Sequence, residues 1–194
     1  MAVEEVTETL PFYVTPLFLD SIDPDGNLGS RVMAEVSPHL VQYKIRGRLE
    51  PRLGTFVSDY PEKGYKYGSV NRQAIAFTDC PTISTIRDFV AQNLSVPFTG
   101  CLVNFYRTGS DKINPHSDTT KPLSHTTIAS LSFGTTRRFH LRNKITRKKY
   151  FVDLEHNSLL VMHGDCQEKY EHWIEAEEGS SSRLNLTLRC LKVD

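Results

Sequence analysis

His116 and Asp118 are separated by a single residue in Asn114-Pro115-His116-Ser117-Asp118. In an extended chain the side chains at i and i+2 leave the same face, so an imidazole and a carboxylate can converge on one metal ion. Two histidines and one carboxylate form the ligand face of a non-haem iron(II) site, which leaves coordination positions open for other ligands. The second histidine must then come from another segment. His172 lies in the alternating run Glu168-Lys169-Tyr170-Glu171-His172-Trp173-Ile174, eleven residues before Arg183, and that order closes a site compactly. His163, beside Gly164, is the alternative. His39, His125, His140 and His156 read as surface or structural histidines.

A second pattern is the strict alternation Arg183-Leu184-Asn185-Leu186-Thr187-Leu188-Arg189. One face of such a strand is leucine, and the other carries Arg183, Asn185, Thr187 and Arg189. Two arginines on an inner face need anionic partners. Their stems start about 20 Å apart, and their side chains can reach inward to one dicarboxylate. Arginine suits this because its planar fork binds carboxylate bidentately and stays charged when desolvated. Asn104 and Tyr106 form a third group, on one face of a strand whose other face is Cys101, Val103 and Phe105. An amide and a phenol beside a metal can orient a bound keto acid.

These side chains must be held by mostly β structure. Strand-like stretches run over Gly54–Val57, Gly100–Tyr106, Thr126–Phe133, Arg138–Leu141, Tyr150–Leu154, Ser158–Met162, Tyr170–Ile174 and Arg183–Leu191. A helix is predicted from Thr82 to Leu94, with Ile83, Ile86, Phe89, Val90 and Leu94 as its apolar stripe, and a weaker one over Gly29–Val36. Many strands after one or two helices predict an α+β, mainly β fold, a jelly roll with helices packed on one sheet.

Composition sets the outer limits. The 194 residues suffice for one domain over residues 11–194, after an acidic, mobile lead-in over residues 1–10. That lead-in holds three glutamates and no Lys or Arg, unlike a secretory signal. No apolar run approaches the roughly 20 residues of a membrane span, so an intracellular protein, cytoplasmic or nuclear, is expected. Cys80, Cys101, Cys166 and Cys190 form no CxxC pair and read as buried free thiols in a reducing compartment. Net charge is zero, yet seven Lys or Arg and no acid fall between Arg137 and Lys149. Such a run is either a solvated hairpin tip or a phosphate-contacting surface.

In order, Asn104-x-Tyr106, His116-x-Asp118, His172 and Arg183-x-Asn185-x-Thr187-x-Arg189 resemble the signature of the AlkB-type iron(II)- and 2-oxoglutarate-dependent dioxygenases. The resemblance extends from about Pro51 to Leu191 and leaves the first 50 residues poorly matched. It implies a double-stranded β-helix that holds iron through His116, Asp118 and His172. Arg183 with Tyr106 would grip the distal carboxylate of 2-oxoglutarate, and Arg189, helped by Asn104, would lie near the end that chelates iron; Asn185 shares that wall. Oxygen is the other cosubstrate, and the implied reaction is oxidative demethylation of N-alkylated bases in RNA or DNA.

A base buried in a duplex cannot reach such a centre, so a flipped or single-stranded base is implied, with single strands favoured. By the same resemblance Tyr67 would stack on the base, with Tyr65 supporting it, and Arg137, Arg138 and Arg142 would contact phosphates. Thr120 stands where several family members carry an acid that favours a cationic methylated base, which leaves the preferred lesion open. A monomer is expected. A dioxygenase of the same fold acting on a protein or small molecule is the competing reading, and a binding module with a decayed site is the third.

Overall fold

The structure is a computed structural model and describes residues 10–45, 47–67, 70–118 and 124–192. The expectation at Thr120 and most of the acidic lead-in lie outside the described residues. The first half of the chain contributes β1 (Phe12–Thr15), α1 (Leu28–Val36), β2 (Lys44–Ile45), β3 (Arg48–Leu49), β4 (Leu53–Ser58), β5 (Tyr65–Tyr67), β6 (Val70–Arg72), β7 (Ala74–Ala76) and α2 (Pro81–Leu94). The second half contributes β8 (Gly100–Tyr106), β9 (Ile113–His116), β10 (Ile128–Gly134), β11 (Arg137–Asn143), β12 (Lys149–Leu154) and β13 (Leu159–Met162). A short helix α3 (Cys166–Lys169), β14 (Tyr170–Ile174) and β15 (Arg183–Arg189) complete it.

Two sheets face each other. The larger runs in the order β1-β13-β10-β15-β8-β4-β7, and the smaller in the order β12-β11-β14-β9. Alternation assigns each strand's residues to a side. Cys101 and Val103 of β8 and Leu184, Leu186 and Leu188 of β15 turn outward. There they meet Ile83, Ile86 and Val90 of α2 and Leu28, Val32 and Val36 of α1. Residues of opposite parity face the second sheet, where Tyr106, Phe139, Leu141, Leu160, Tyr170 and Ile174 share an inter-sheet core. This is the jelly roll with helices on one sheet.

The predicted elements all form, with ends shifted by a few residues. The strands absent from the predicted stretches are short: the hairpins β2–β3 and β5–β6, the parallel edge strand β7, β1, and β9, which carries His116. Runs of two to four residues are too short to display a period, and their pairing comes from neighbours distant in sequence. β15 is buried on both faces, since it lies at the centre of the large sheet between β10 and β8. All four cysteines are free and buried. Burial pushes the Cys166 thiol up to about 12, so it stays protonated.

The smaller sheet corrects the reading of Arg137. Arg137 has the parity of Phe139 and Leu141 and points inward with them, 1% exposed. Its Nη2 donates to the carbonyls of Asp111 (3.1 Å) and Glu175 (2.5 Å) and fastens two loops. It is a structural clamp and has no surface for a phosphate. Arg138 and Arg142 have the opposite parity and lie on the sheet's outer face, away from the interior between the sheets. Arg138 is paired to Asp153 (2.8 Å) over the Phe151 ring, and Arg142 to Glu171 over Trp173. Neither lines the cavity described next.

Candidate metal centre and anion pocket

The antiparallel pairing of β14 with β9 sets His172 directly opposite His116, with ring centroids 4.4 Å apart. One ligand atom from each of His116, Asp118 and His172 lies within 4.8 Å of the others. Asp118 lies two residues beyond the end of β9, which closes at His116. Other contacts hold that segment. Ser117 Oγ donates to the Tyr170 carbonyl (2.6 Å), and the Asp118 N–H donates to Gln167 Oε1 (2.9 Å). His116 Nδ1 sits 2.8 Å from the Asn114 carbonyl, a contact that leaves Nε2 with its lone pair.

The electrostatics suit a cation. Burial pushes the His172 imidazole down to about 3, and the neighbouring His116 adds to the effect. His116 is also held below its ordinary value, chiefly by burial. Burial alone would raise Asp118, but the Arg189 guanidinium and the two imidazoles outweigh it and hold the carboxyl at about 2. Near neutral pH the group is therefore two neutral imidazoles and one carboxylate, all able to donate lone pairs. His172 Nδ1 is buried with no hydrogen-bond partner among the described residues. Phe139 stacks on the same ring at 5.2 Å, which limits how it can turn.

A pH dependence follows for the metal-free protein. The unfolded chain protonates its histidines below about 6.5, whereas folded His172 resists protonation down to about 3. The unfolded state then binds more protons, so stability falls as pH drops from 6.5, by about 1.4 kcal/mol per pH unit for each such histidine. Urea midpoints of metal-free protein between pH 7.5 and 5 are expected to decline accordingly, and less steeply in His172→Leu. A flat profile would refute neutral buried histidines.

The three side chains open onto a small cavity between the sheets, of about 50 Å³ and partly open to solvent. Arg183, Asn185, Thr187 and Arg189 of β15 line it, as do Asn104 and Tyr106 of β8. Register pairs Arg183 with Tyr106 and Asn185 with Asn104. The two arginines have different partners. Arg189 Nη2 lies 2.9 Å from Asp118 Oδ2. Arg183 donates from Nη2 to Ser132 Oγ (2.8 Å), while its Nε and Nη1 have no hydrogen-bond partner among the described residues.

Arg183 is 1% exposed, and no carboxylate of a described residue pairs with it. Burial lowers its guanidinium to about 10, with the adjacent Tyr106 acting the other way, so it remains charged at neutral pH. A buried cation without a counterion is costly, and a carboxylate-bearing ligand would relieve the cost. The donor set thus fits a divalent metal and a dicarboxylate side by side.

Asn104 accepts from Arg52 Nε (2.9 Å) and donates to Asn185 Oδ1 (3.3 Å). Asn185 in turn donates to Ser130 Oγ, and Thr187 donates to Asn185. Sequence reasoning missed Arg52 as a lining residue, and it missed Gln167 and Ser132. Gln167 and Asp118 are separated by 49 residues, and Arg52 and Asn104 by 52, so no local pattern announces either contact. Tyr65 and Tyr67 lie on β5, paired with β6, in register Tyr65 to Arg72 and Tyr67 to Val70. Their side chains are outside the described residues.

Comparison with known proteins agrees with this geometry. The 2OG-Fe(II) oxygenase superfamily matches residues 34–189. Mouse alpha-ketoglutarate-dependent dioxygenase alkB homolog 3 is 33% identical over 158 residues, 75% of this chain and 53% of the relative. Human DNA oxidative demethylase ALKBH2 is 33% identical over 119 residues, 56% of this chain and 46% of the relative. The chain therefore spans about half the length of the curated relatives it matches. Among solved structures, that described as OsALKBH1 superposes with a TM-score of 0.61 at 17% identity, covering 93% of this chain and 98% of that one; the likeness concerns the fold alone. No helix of the described residues is long and apolar enough to cross a membrane.

Proposed function

The chain belongs to the 2OG-Fe(II) oxygenase superfamily, and from that membership we propose that it oxidatively removes alkyl groups from bases of nucleic acid. One observation carries the chemistry: a buried Arg183 without a carboxylate partner shares a cavity with the grouped ligand atoms of His116, Asp118 and His172. In this reading His116, Asp118 and His172 hold iron(II), and Arg183 with Tyr106 takes the distal carboxylate of 2-oxoglutarate. Arg189 keeps Asp118 oriented and ionised at the chelating end, while Asn104 and Asn185 form the polar wall between. When bound, iron(II), 2-oxoglutarate and oxygen together supply the oxidant for an alkyl carbon, and an N-hydroxyalkyl product sheds its aldehyde. The protein's own part is to position the reactants and to exclude water with Phe139, Ile174, Leu102 and Met162.

The relative named as a DNA oxidative demethylase supports a nucleic-acid substrate. A single-stranded or flipped base is favoured, because zero net charge provides little of the counterion release on which non-specific duplex binding depends. Tyr67, with Tyr65, is the proposed stacking platform. We take the working form to be a monomer within the cell, in cytoplasm or nucleus.

The test is direct. The protein is incubated with iron(II), 2-oxoglutarate and a panel of methylated single- and double-stranded oligonucleotides, and base mass and succinate are followed together. Demethylation coupled to succinate, faster on single strands, is expected. Succinate release with every oligonucleotide unchanged would move the substrate to a protein or small molecule.

A further inference from the structure

Two of the three grouped side chains sit on paired strands. His116 ends β9 and His172 lies in β14, and the register that sets them opposite each other also fixes their backbones. Asp118 lies beyond that ladder, so other contacts must place it. Its carboxylate meets Arg189. Its main chain is held from α3 and the first residue of β14. The Asp118 N–H donates to Gln167 Oε1 (2.9 Å), and the neighbouring Ser117 Oγ donates to the Tyr170 carbonyl (2.6 Å).

The Gln167 side chain has little freedom. It is buried, as are Asp118 and Met162 on either side of it. An N–H needs an acceptor, so the amide must present Oε1 to Asp118, which turns Nε2 the other way. There Nε2 donates to the Met162 sulfur at 3.3 Å. The Gln167 main chain is anchored too. α3 has only four residues, too few to stand alone, and Lys144 Nζ holds the Gln167 and Glu168 carbonyls (2.9 and 3.0 Å). Five residues further on, the same segment carries His172.

We propose that Gln167 is a positioning residue that sets metal affinity, by holding the main chain of Asp118 within reach of the two histidines. α3 and β14 then place two ligands as one unit: His172 through strand pairing, and Asp118 through the Gln167 amide. Without that bond, part of the ordering of Asp118 would fall to metal binding, and affinity would drop by the entropy of that ordering. The inference rests on Asp118 being a metal ligand, as the proposed function has it.

The test titrates metal-free proteins with Co(II), following the visible absorption of the bound ion, and measures their urea unfolding in parallel. Gln167→Met keeps the length of the side chain and removes the acceptor. Gln167→Asn keeps the amide but withdraws it by one methylene. Both are expected to weaken Co(II) binding about 10- to 100-fold. Gln167→Glu retains an acceptor oxygen at full length and should bind Co(II) nearly as tightly as the parent. Asp118→Ala is titrated alongside.

Parent affinity in Gln167→Met and Gln167→Asn, even with a lowered urea midpoint, overturns the inference and leaves Gln167 a staple of the fold. Equal loss in Gln167→Glu also overturns it, because the acceptor would then not be what matters. Loss in Asp118→Ala alone sinks this inference and spares the ligand assignment. Unchanged affinity in Asp118→Ala sinks both, so the two failures are distinguishable.

Discussion

Replacement of His172 or His116 by alanine is expected to eliminate turnover, with succinate formation falling at least about a thousandfold and bound iron falling from one per chain to near zero. The reason is geometric. Three ligand atoms within 4.8 Å of one another can enclose one ion, and two cannot hold it on one face while leaving room for cosubstrate. Asp118→Ala should be equally inactive but differ in stability. It strips the buried Arg189 guanidinium of its 2.9 Å partner, and removing one member of a buried ion pair costs about 3–5 kcal/mol. The histidine variants remove neutral groups whose burial opposes protonation, so metal-free His172→Ala should lose less than Asp118→Ala in urea denaturation. Full iron occupancy in any of the three variants would remove that residue from the ligand set.

The second large effect concerns the anion. Arg183→Met is expected to raise the KM for 2-oxoglutarate roughly a hundredfold or more, since loss of a buried charge partner costs about 2–5 kcal/mol of binding. Iron binding should be nearly unaffected, because Arg183 is bonded to Ser132 and lies over Tyr106 at 5.2 Å instead of contacting the metal group. The sign of the stability change is the sharper test. A buried guanidinium with two unbonded nitrogens destabilises the ligand-free fold, so the metal-free Arg183→Met protein should unfold at the same or a higher temperature than the parent. Added 2-oxoglutarate should raise the melting temperature of the iron-loaded parent and not of the variant. A variant with unchanged 2-oxoglutarate dependence would place the dicarboxylate elsewhere.

The smaller sheet shows where reading a sequence by charge alone goes wrong. Between Arg137 and Lys149 the density of basic residues suggested one exposed surface. The parity of that same stretch carried the better signal, since Arg137 alternates in step with Phe139 and Leu141. Burial follows parity in a sheet whose one face is packed, whatever the side chain's charge, provided that its polar atoms find partners. Arg137 meets that condition in part: its Nη2 reaches the carbonyls of Gly109, Asp111 and Glu175 and its Nε lies 3.4 Å from Glu177 Oε2, while Nε and Nη1 have no hydrogen bond among the described residues. Arg138 and Arg142 follow parity outward and settle into ion pairs on the far face.

By itself the sequence determined which residues share a face and the order in which they come along the chain. Alternation in β8 and β15 was enough to put Asn104, Tyr106, Arg183, Asn185 and Arg189 on one wall, and the leucines opposite them under the helices. It also sufficed to propose that His116, Asp118 and His172 gather. Only the tertiary structure decided who bonds to whom. Arg189 holds Asp118, Arg183 awaits an anion, Asn104 turns to Arg52, and Gln167 accepts from the Asp118 N–H just beyond the end of β9. A strand's period depends on near neighbours and is written locally. Partnership depends on sheet order and register, and Asn104 meets Asn185 across 81 residues that no local pattern spans.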